Sequence, residues 1–484
     1  MSDRSVPRRA IEVDAALTHA LTWHGRPREA LELPIALASR SRDGSRLHAF
    51  RLVAAAFAGE IQSLEERTKS FLANTRQDRV ARCATLGALA WAQMFSGECL
   101  AAVETGTAAV ALGRRLDPRG RQQAQPWFFS ALTLIFTDQL DRAATIIDEG
   151  RRAAESTGTS WPLPLYHSEL ANIHWLRGSW DDAVAEDEAA QAIADEYDLQ
   201  VGVLTGALSR LARILVHRGE TDEARKLLEK SDGGSRQTGS ALLAGARALV
   251  HEATGNLAAA EQTLASAWDE NIRSGVRAEI RLLAPDLVRL HLANGHRGDA
   301  RPIVSEAYRM AERMSVASAE GAALRCAGLL DDSPDLLLRA SAAYGRSPRV
   351  FDHALALEET ALSLARSRQH AEALELARRA DATYKQLGAY YDRLRLNGAL
   401  RAIGLPPTAK RLRARTTRGW ESLTDSELRV VKLVAGGATN KEVAGSLLIS
   451  RHTVDSHLRH AYAKLDVASR VQLAVVAMRQ SQRR

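Results

Sequence analysis

Between residues 11 and 404 the apolar positions recur at helical spacing, in runs of 12 to 16 residues separated by short breaks. The breaks themselves repeat. They fall at Gly25, Gly59, Gly97, Asp138, Gly178, Gly219, Gly255, Gly295, Asp331 and Arg368, a mean spacing of about 38 residues. Five residues after the break stands Ala30, Ala102, Ala143, Ala183, Ala224, Ala260, Ala300 or Ala373, with Leu64 and Leu336 in the other two units. A second alanine follows at +12 in six units (Ala109, Ala190, Ala267, Ala307, Ala343, Ala380). A small residue also precedes the break by seven, as at Ala90, Ala131 and Ala171. Small side chains at fixed offsets from a turn let two antiparallel helices, and then adjacent pairs, approach closely. The pattern predicts an all-α chain built from stacked helix pairs, with residues 1–10 as a disordered tail.

The last 65 residues follow a different plan. Thr424 and Glu427 form a capping box ahead of Leu428, Val431 and Val434, and Gly436-Gly437 ends that helix. Thr439 with Glu442 is a second box, opening a short helix that carries Val443, Ala444 and Leu447. Leu448-Ile449 make a tight apolar turn, and Ser450 caps a third helix. Its inner face is Val454, Leu458, Ala461 and Leu465. Its outer face is Arg451, His452, Asp455, Ser456, Arg459, His460 and Lys464. A fourth helix, residues 469–480, turns Leu473, Val476 and Ala477 inward. Short helix, turn, and helix with a polar basic outer face describe a helix-turn-helix.

Both parts resemble known families. The turn residue and two alanines resemble tetratricopeptide repeats, with residues 170–194 as the best copy. The units here run longer than that family's, and most lack its closing proline. The run from Leu423 to Leu473 resembles the LuxR-type (GerE-like) DNA-binding domain. It matches at Leu423-Thr424, Glu427, Gly437, Asn440 to Ala444, Leu448-Ile449-Ser450, Thr453-Val454, His457-Leu458, Lys464-Leu465 and Arg470. Asp455 departs from the residues usual at its position in that family. The resemblance implies that the third helix enters the major groove of double-stranded operator DNA. Asp455, Ser456 and Arg459 are then the base-contact candidates, with Arg451 beside them on the outer face. Asn440, Lys441, Thr453 and Lys464 are the phosphate candidates. It also implies that the last helix supplies a homodimer contact, for which Val471 and Val475 are the exposed apolar residues.

Charge sharpens this division. The chain carries +7 overall, but residues 405–484 hold 15 Lys/Arg against 6 Asp/Glu, leaving the first 404 residues at −2. A basic domain on a near-neutral body suits phosphate binding. Residues 405–419 form a linker opened by Pro406-Pro407 and carrying Lys410, Arg411, Arg413, Arg415 and Arg418. Trp91, Trp127, Phe128, Phe129, Trp161, Trp175 and Trp180 load one part of the repeats, as inter-helix packing or as the wall of a ligand pocket. Asp181-Asp182 and Glu358-Glu359 read as solvated helix faces.

Several classes lack support. No Gly-Lys dipeptide occurs, so there is no P-loop of the kind found in the large ATP-binding LuxR-type regulators, which the repeat-plus-terminal-domain layout otherwise resembles. No nucleophile–base constellation suggests an enzyme, and no cofactor is expected. His452, His457 and His460 share a helix at spacings that do not put all three on one face, so no metal is expected there. Cys83, Cys99 and Cys326 form no CxxC pair and suit a reducing cytoplasm. No apolar run approaches a membrane span.

The expectation is a cytoplasmic bacterial transcriptional regulator. Residues 11–404 form a tetratricopeptide-like α-solenoid that senses a ligand or protein, and residues 420–484 a four-helix LuxR-type domain that binds DNA as a dimer. The alternative is an adaptor whose solenoid recruits a protein while the helix-turn-helix docks on RNA polymerase. The basic third helix argues for direct DNA contact.

Overall fold

The computed structural model describes residues 5–33, 42–73, 78–197, 199, 204–229, 240–409, 418–447 and 449–481. Among them the regular elements are helices and no strand occurs. None of these helices is long and apolar enough to cross a membrane. The first helix is Ser5–Trp23, so residues 5–10 are helical where a disordered tail was expected. Leu448 and the basic residues Lys410, Arg411, Arg413 and Arg415 lie outside the described residues.

The turn pattern has one structural cause. Nine of the ten break residues have a left-handed backbone, with φ between 60° and 97°. The tenth turn falls at Asp332 (φ 48°), one residue later than the spacing predicted. That shift puts Leu337, rather than Leu336, into the buried +5 position. After every turn, the next amide donates to the carbonyl five residues back, as from Ser179 to His174 (2.8 Å) and from His296 to His291 (2.7 Å). This closes the helix end and satisfies a carbonyl that would otherwise be orphaned. The eight alanines at +5 are completely buried, because the following helix crosses there with no room for a longer side chain.

Longer units hold insertions. Between Gly97 and Asp138 an extra helix, Pro118–Ala124, is started by Asp117, whose carboxylate accepts from the Gly120 amide at 2.7 Å. The Trp161–Tyr166 prolines start the helix Leu163–Arg177.

The stacked pairs curl until distant units touch. Phe95 O accepts from the amides of Arg277 (2.7 Å) and Ala278 (3.0 Å). Asp138 accepts from Arg349 Nε (2.9 Å) and from the Ser318 amide (3.1 Å). His217 Nδ1 lies 2.8 Å from Asp392. The result is a central cavity of about 190 Å³, open to solvent. Trp91, Phe128 and Trp175 face this cavity, while Trp127 and Trp180 are buried in the packing.

Two acidic pairs read as solvated are engaged instead. Glu358 is buried against Tyr384 Oη (2.6 Å) and Arg395 (2.7 Å), and Glu359 holds Arg325 (2.6 Å). Asp181 pairs with Arg218 (2.8 Å). Long-range closure needs such directional contacts, which a local acidic pair in sequence does not reveal.

The turns make a direct stability test. Gly178 has φ 83°, and a Cβ there would meet Leu387 Cδ2 at 2.6 Å. Gly298 sits inside a helix with open space around it. Gly178→Ala should cost roughly 1–2 kcal/mol through the left-handed strain and the contact, lowering the denaturant midpoint. Gly298→Ala should be neutral or slightly stabilising. Equal midpoints for the two variants would refute this account of the turns.

Candidate nucleic-acid interface

The last four helices are Asp425–Ala435, Asn440–Leu447, Arg451–Leu465 and Arg470–Ser481. Each of the first three starts on an expected cap. Thr424 and Glu427 form the full reciprocal box (2.9 and 3.1 Å), Thr439 and Glu442 the second (2.7 and 3.3 Å), and Ser450 Oγ accepts from the Thr453 amide (3.0 Å). Val431, Val434, Val443, Val454, Leu458, Ala461, Leu473 and Ala477 meet in one core. Val430 joins them, whereas Leu428, expected there, is half-buried. The third helix, Arg451–Leu465, ends on Asp466 in a left-handed conformation (φ 54°).

Polar contacts lock the unit. Lys464 Nζ reaches both oxygens of the buried Glu427 (2.6 and 2.7 Å), tying the third helix to the first. Asn440 donates to Asp455 Oδ1 (2.5 Å) and accepts from Arg470 (3.0 Å), which also reaches Ala438 O. Two candidate phosphate contacts are therefore occupied internally. Lys464 is an ion-pair partner, and Asn440 holds Asp455 in place. Asp455 thus has a partner on the preceding helix.

The candidates divide by exposure. Lys441, Arg451, Asp455 and Arg459 are exposed. Thr453 and Ser456 are buried, each at 1% exposure, although Ser456 was expected to point outward. The reason is the solenoid. The third helix lies on the solenoid helix Trp180–Glu196. Thr453 Oγ1 donates to Glu186 Oε1 (2.9 Å), Arg459 pairs with Glu188 (3.1 Å), and His460 Nε2 lies 2.8 Å from the same carboxylate. His457 is buried and lies 3.6 Å from Asp182. Ser456 sits against Glu188. The outer face of the third helix thus meets a row of carboxylates.

Electrostatics fit that reading. Burial alone would raise the Glu186 carboxyl, but His167 (2.6 Å), His174 and Thr453 outweigh it and hold the group below the ordinary carboxylate range. Glu188 is likewise raised by burial and pulled lower overall by His460, Arg459 and Ser456. Burial lowers His457, only partly opposed by Asp182, Glu186 and Glu427. Asp182, Glu186 and Glu188 were missed as site residues. Asp181-Asp182 read as a solvated pair, and nothing local distinguishes Asp182 from any helical acid until the third helix is laid against it.

On the last helix Val471 is 73% exposed, with Val475 and Met478 beside it at i+4 and i+7. The two expected exposed valines are joined by a methionine, which makes an apolar stripe. The described cysteines are buried and free, and burial pushes Cys83 up to about 12 and Cys99 to about 11.

Residues 421–477 match the family model described as bacterial regulatory proteins, luxR family. The chain is 49% identical over 78 residues to a protein named as an HTH-type transcriptional regulator, Mb0914c of Mycobacterium bovis; this covers 16% of the chain and 9% of that protein. It is 48% identical over 59 residues to the transcriptional regulatory protein LiaR of Bacillus subtilis, covering 12% of the chain and 28% of LiaR. With the nitrate/nitrite response regulator protein NarL of Escherichia coli it shares 41% over 63 residues, 13% of the chain and 29% of NarL. The chain therefore spans less than a third of the length of each of these relatives. Among the described residues an all-helical, repeat-like region thus precedes a helix-turn-helix domain of the luxR family at residues 421–477.

Proposed function

We propose that the protein is a DNA-binding transcriptional regulator. Residues 420–484 bind operator DNA, residues 405–419 link, and the repeats of 11–404 control access in response to a ligand or protein. The third helix is the recognition helix. Arg459, Ser456 and Asp455 face the bases, with Arg451 at its N-terminal end, and Lys441 meets phosphate. Thr453, at the same buried contact as Ser456, reaches phosphate only once released. Lys464 and Asn440 serve the domain's own packing first.

The observation that carries the reading is the acidic row on Trp180–Glu196. Glu186 and Glu188 take the hydroxyl and guanidinium of Thr453 and Arg459, residues assigned above to DNA. A carboxylate pair there offers what phosphate and base acceptors would offer, so docking on the solenoid and binding in a groove are mutually exclusive. The arrangement is the closed form, and DNA selects the released one. This favours direct DNA binding over the adaptor reading, because the groups held by the row are donors that suit phosphate and base edges.

Neutralising the row should open the protein. Glu186→Gln with Glu188→Gln should tighten operator binding roughly tenfold, because the competent fraction rises. Glu196→Gln, on the exposed end of the same helix, should leave it unchanged. An equal gain from both, in fluorescence anisotropy with labelled operator, would reduce the effect to general charge.

Arg459 and Lys441 should separate specificity from affinity. Arg459→Ala, in the opened background, should cost roughly 1–3 kcal/mol on operator and relax preference at one base pair. Lys441→Ala should weaken operator and scrambled duplex alike and lower the salt slope by about one. Salt titrations that gave the reverse assignment would overturn the docking geometry.

Acid should loosen the closed form. His457 is lowered when docked, so the released state takes up a proton first as pH falls through the ordinary histidine range near ~6.5. Glu186 and Glu188 are depressed when docked, so their stabilisation is fully present above the ordinary glutamate value of ~4.3 and lost as pH falls through the lowered one. Hydrogen exchange of the recognition-helix amides, corrected for intrinsic rates, should therefore speed up from pH 7.5 to 5.5. His457→Gln should flatten that dependence, and an unchanged slope in the variant would remove His457 from the switch.

A further inference from the structure

The central cavity combines aromatic walls with arginine. Trp91, Phe95, Phe128, Phe136, Trp175 and Phe351 supply the walls. Five arginines and four carboxyl groups line it among the described residues. Three of these arginines are committed. Arg210 makes a two-pronged pair with Asp187 (2.6 and 2.9 Å), Arg325 another with Glu359 (2.6 and 2.7 Å), and Arg349 bonds Asp138 (2.9 Å).

Arg281 differs. It is only 6% exposed, and among the described residues its one hydrogen bond runs from Nη1 to Ser318 Oγ (2.7 Å) and Nε has no partner. Its guanidinium covers the Phe136 ring at 5.2 Å. Asp138, which faces it, is already taken by Arg349 and the Ser318 amide. Asp352 borders the same cavity, and its charge opposes part of the effect of burial on Arg281. Burial, reinforced by Arg349, pushes Arg281 down to about 10. A guanidinium carries five donors in a fork that matches carboxylate, sulfonate or phosphate. Leaving such a group buried with one bond is costly, and an anion in the cavity would relieve it. Arg213 adds a second cation on the wall, over Trp175 at 5.4 Å, its Nε also without a partner among the described residues. Burial meanwhile raises the Glu169 carboxyl to about 7, which lessens the opposing negative charge.

We propose that this cavity binds a small organic anion with a bulky apolar body, its acid group seated on Arg281 and its body against the aromatic walls. The site gives a chemical class to the ligand of the reading above and rests on that reading only for its regulatory consequence. That consequence has a short physical route. Arg210, on the cavity wall, bonds Ser168 and Asp187, and Asp187 stands between Glu186 and Glu188 of the docking row. A molecule seated in the cavity packs against Arg210 and Ser168, at the back of the segment that holds the recognition helix.

The test reads binding to the full chain without DNA, so that its failure leaves the DNA-binding reading standing. The probe is 1-anilinonaphthalene-8-sulfonate, compared with N-phenyl-1-naphthylamine, which has the same rings and no acid. The wild-type chain should bind one equivalent of the sulfonate at least tenfold more tightly than the neutral amine. Arg281→Met should remove that preference while leaving the amine unchanged, and Arg281→Lys should restore part of it. Equal affinity for the two probes, or a preference that survives Arg281→Met in a chain melting normally, overturns the proposal. If Arg281→Met fails to fold, the ratio of the two affinities in the wild-type chain decides alone.

Discussion

The left-handed turn closed by a bond to the carbonyl five residues back is the contact on which the rest of the molecule depends. It reverses the chain within a few residues, so the following helix must lie against the one before it. At the crossing only a small side chain fits, and in eight of ten units it is a completely buried alanine. Repeated ten times, one geometry sets the rise and rotation from pair to pair. The curl then brings Phe95 to Arg277 and Asp138 to Arg349. The cavity and the acidic row both follow from that curl.

Much of this was legible in the chain because it is local. A glycine at a turn, an alanine five residues on and a threonine three residues before a glutamate each report a backbone event within one helical turn. Nine break residues and the three caps fall where the spacing put them. Asp331 missed by one because a non-glycine turn has no distinctive residue, and Asp332 adopts the strained conformation instead. The candidate site was legible only in part. The core of the terminal domain follows from helical periodicity, with Val430 in the place given to Leu428. What periodicity cannot supply is a second surface. Ser456 is on the outer face of its helix as expected, yet it is buried, because that outer face lies against another part of the chain. Its acidic partners are almost 270 residues away in sequence, as the Thr453–Glu186 bond illustrates.

The row that meets the recognition helix is also wired inward. Glu186 bonds Thr453 on one side and His167 on the other, and His167 precedes Ser168 on the cavity wall. Asp187 between the two docking glutamates holds Arg210. These groups are buried, where hydrogen bonds and charges act at low dielectric and an unmatched partner is expensive. A small rearrangement at the wall therefore cannot be absorbed by solvent, and it has to be met by neighbouring side chains of the same helix pair.

The three thiols occupy different parts of the repeats, and Cys99 is the most informative. It packs with Ala278, Met310, Met314, Val316 and Ala319, which belong to units far along the chain. It therefore sits in the seam where the curled stack meets itself. In the closed seam the sulfur is shielded, and burial holds it in the protonated, unreactive form. Breathing of the seam would uncover it, so the rate at which a thiol reagent labels Cys99 is a clock for how often the ring of repeats opens.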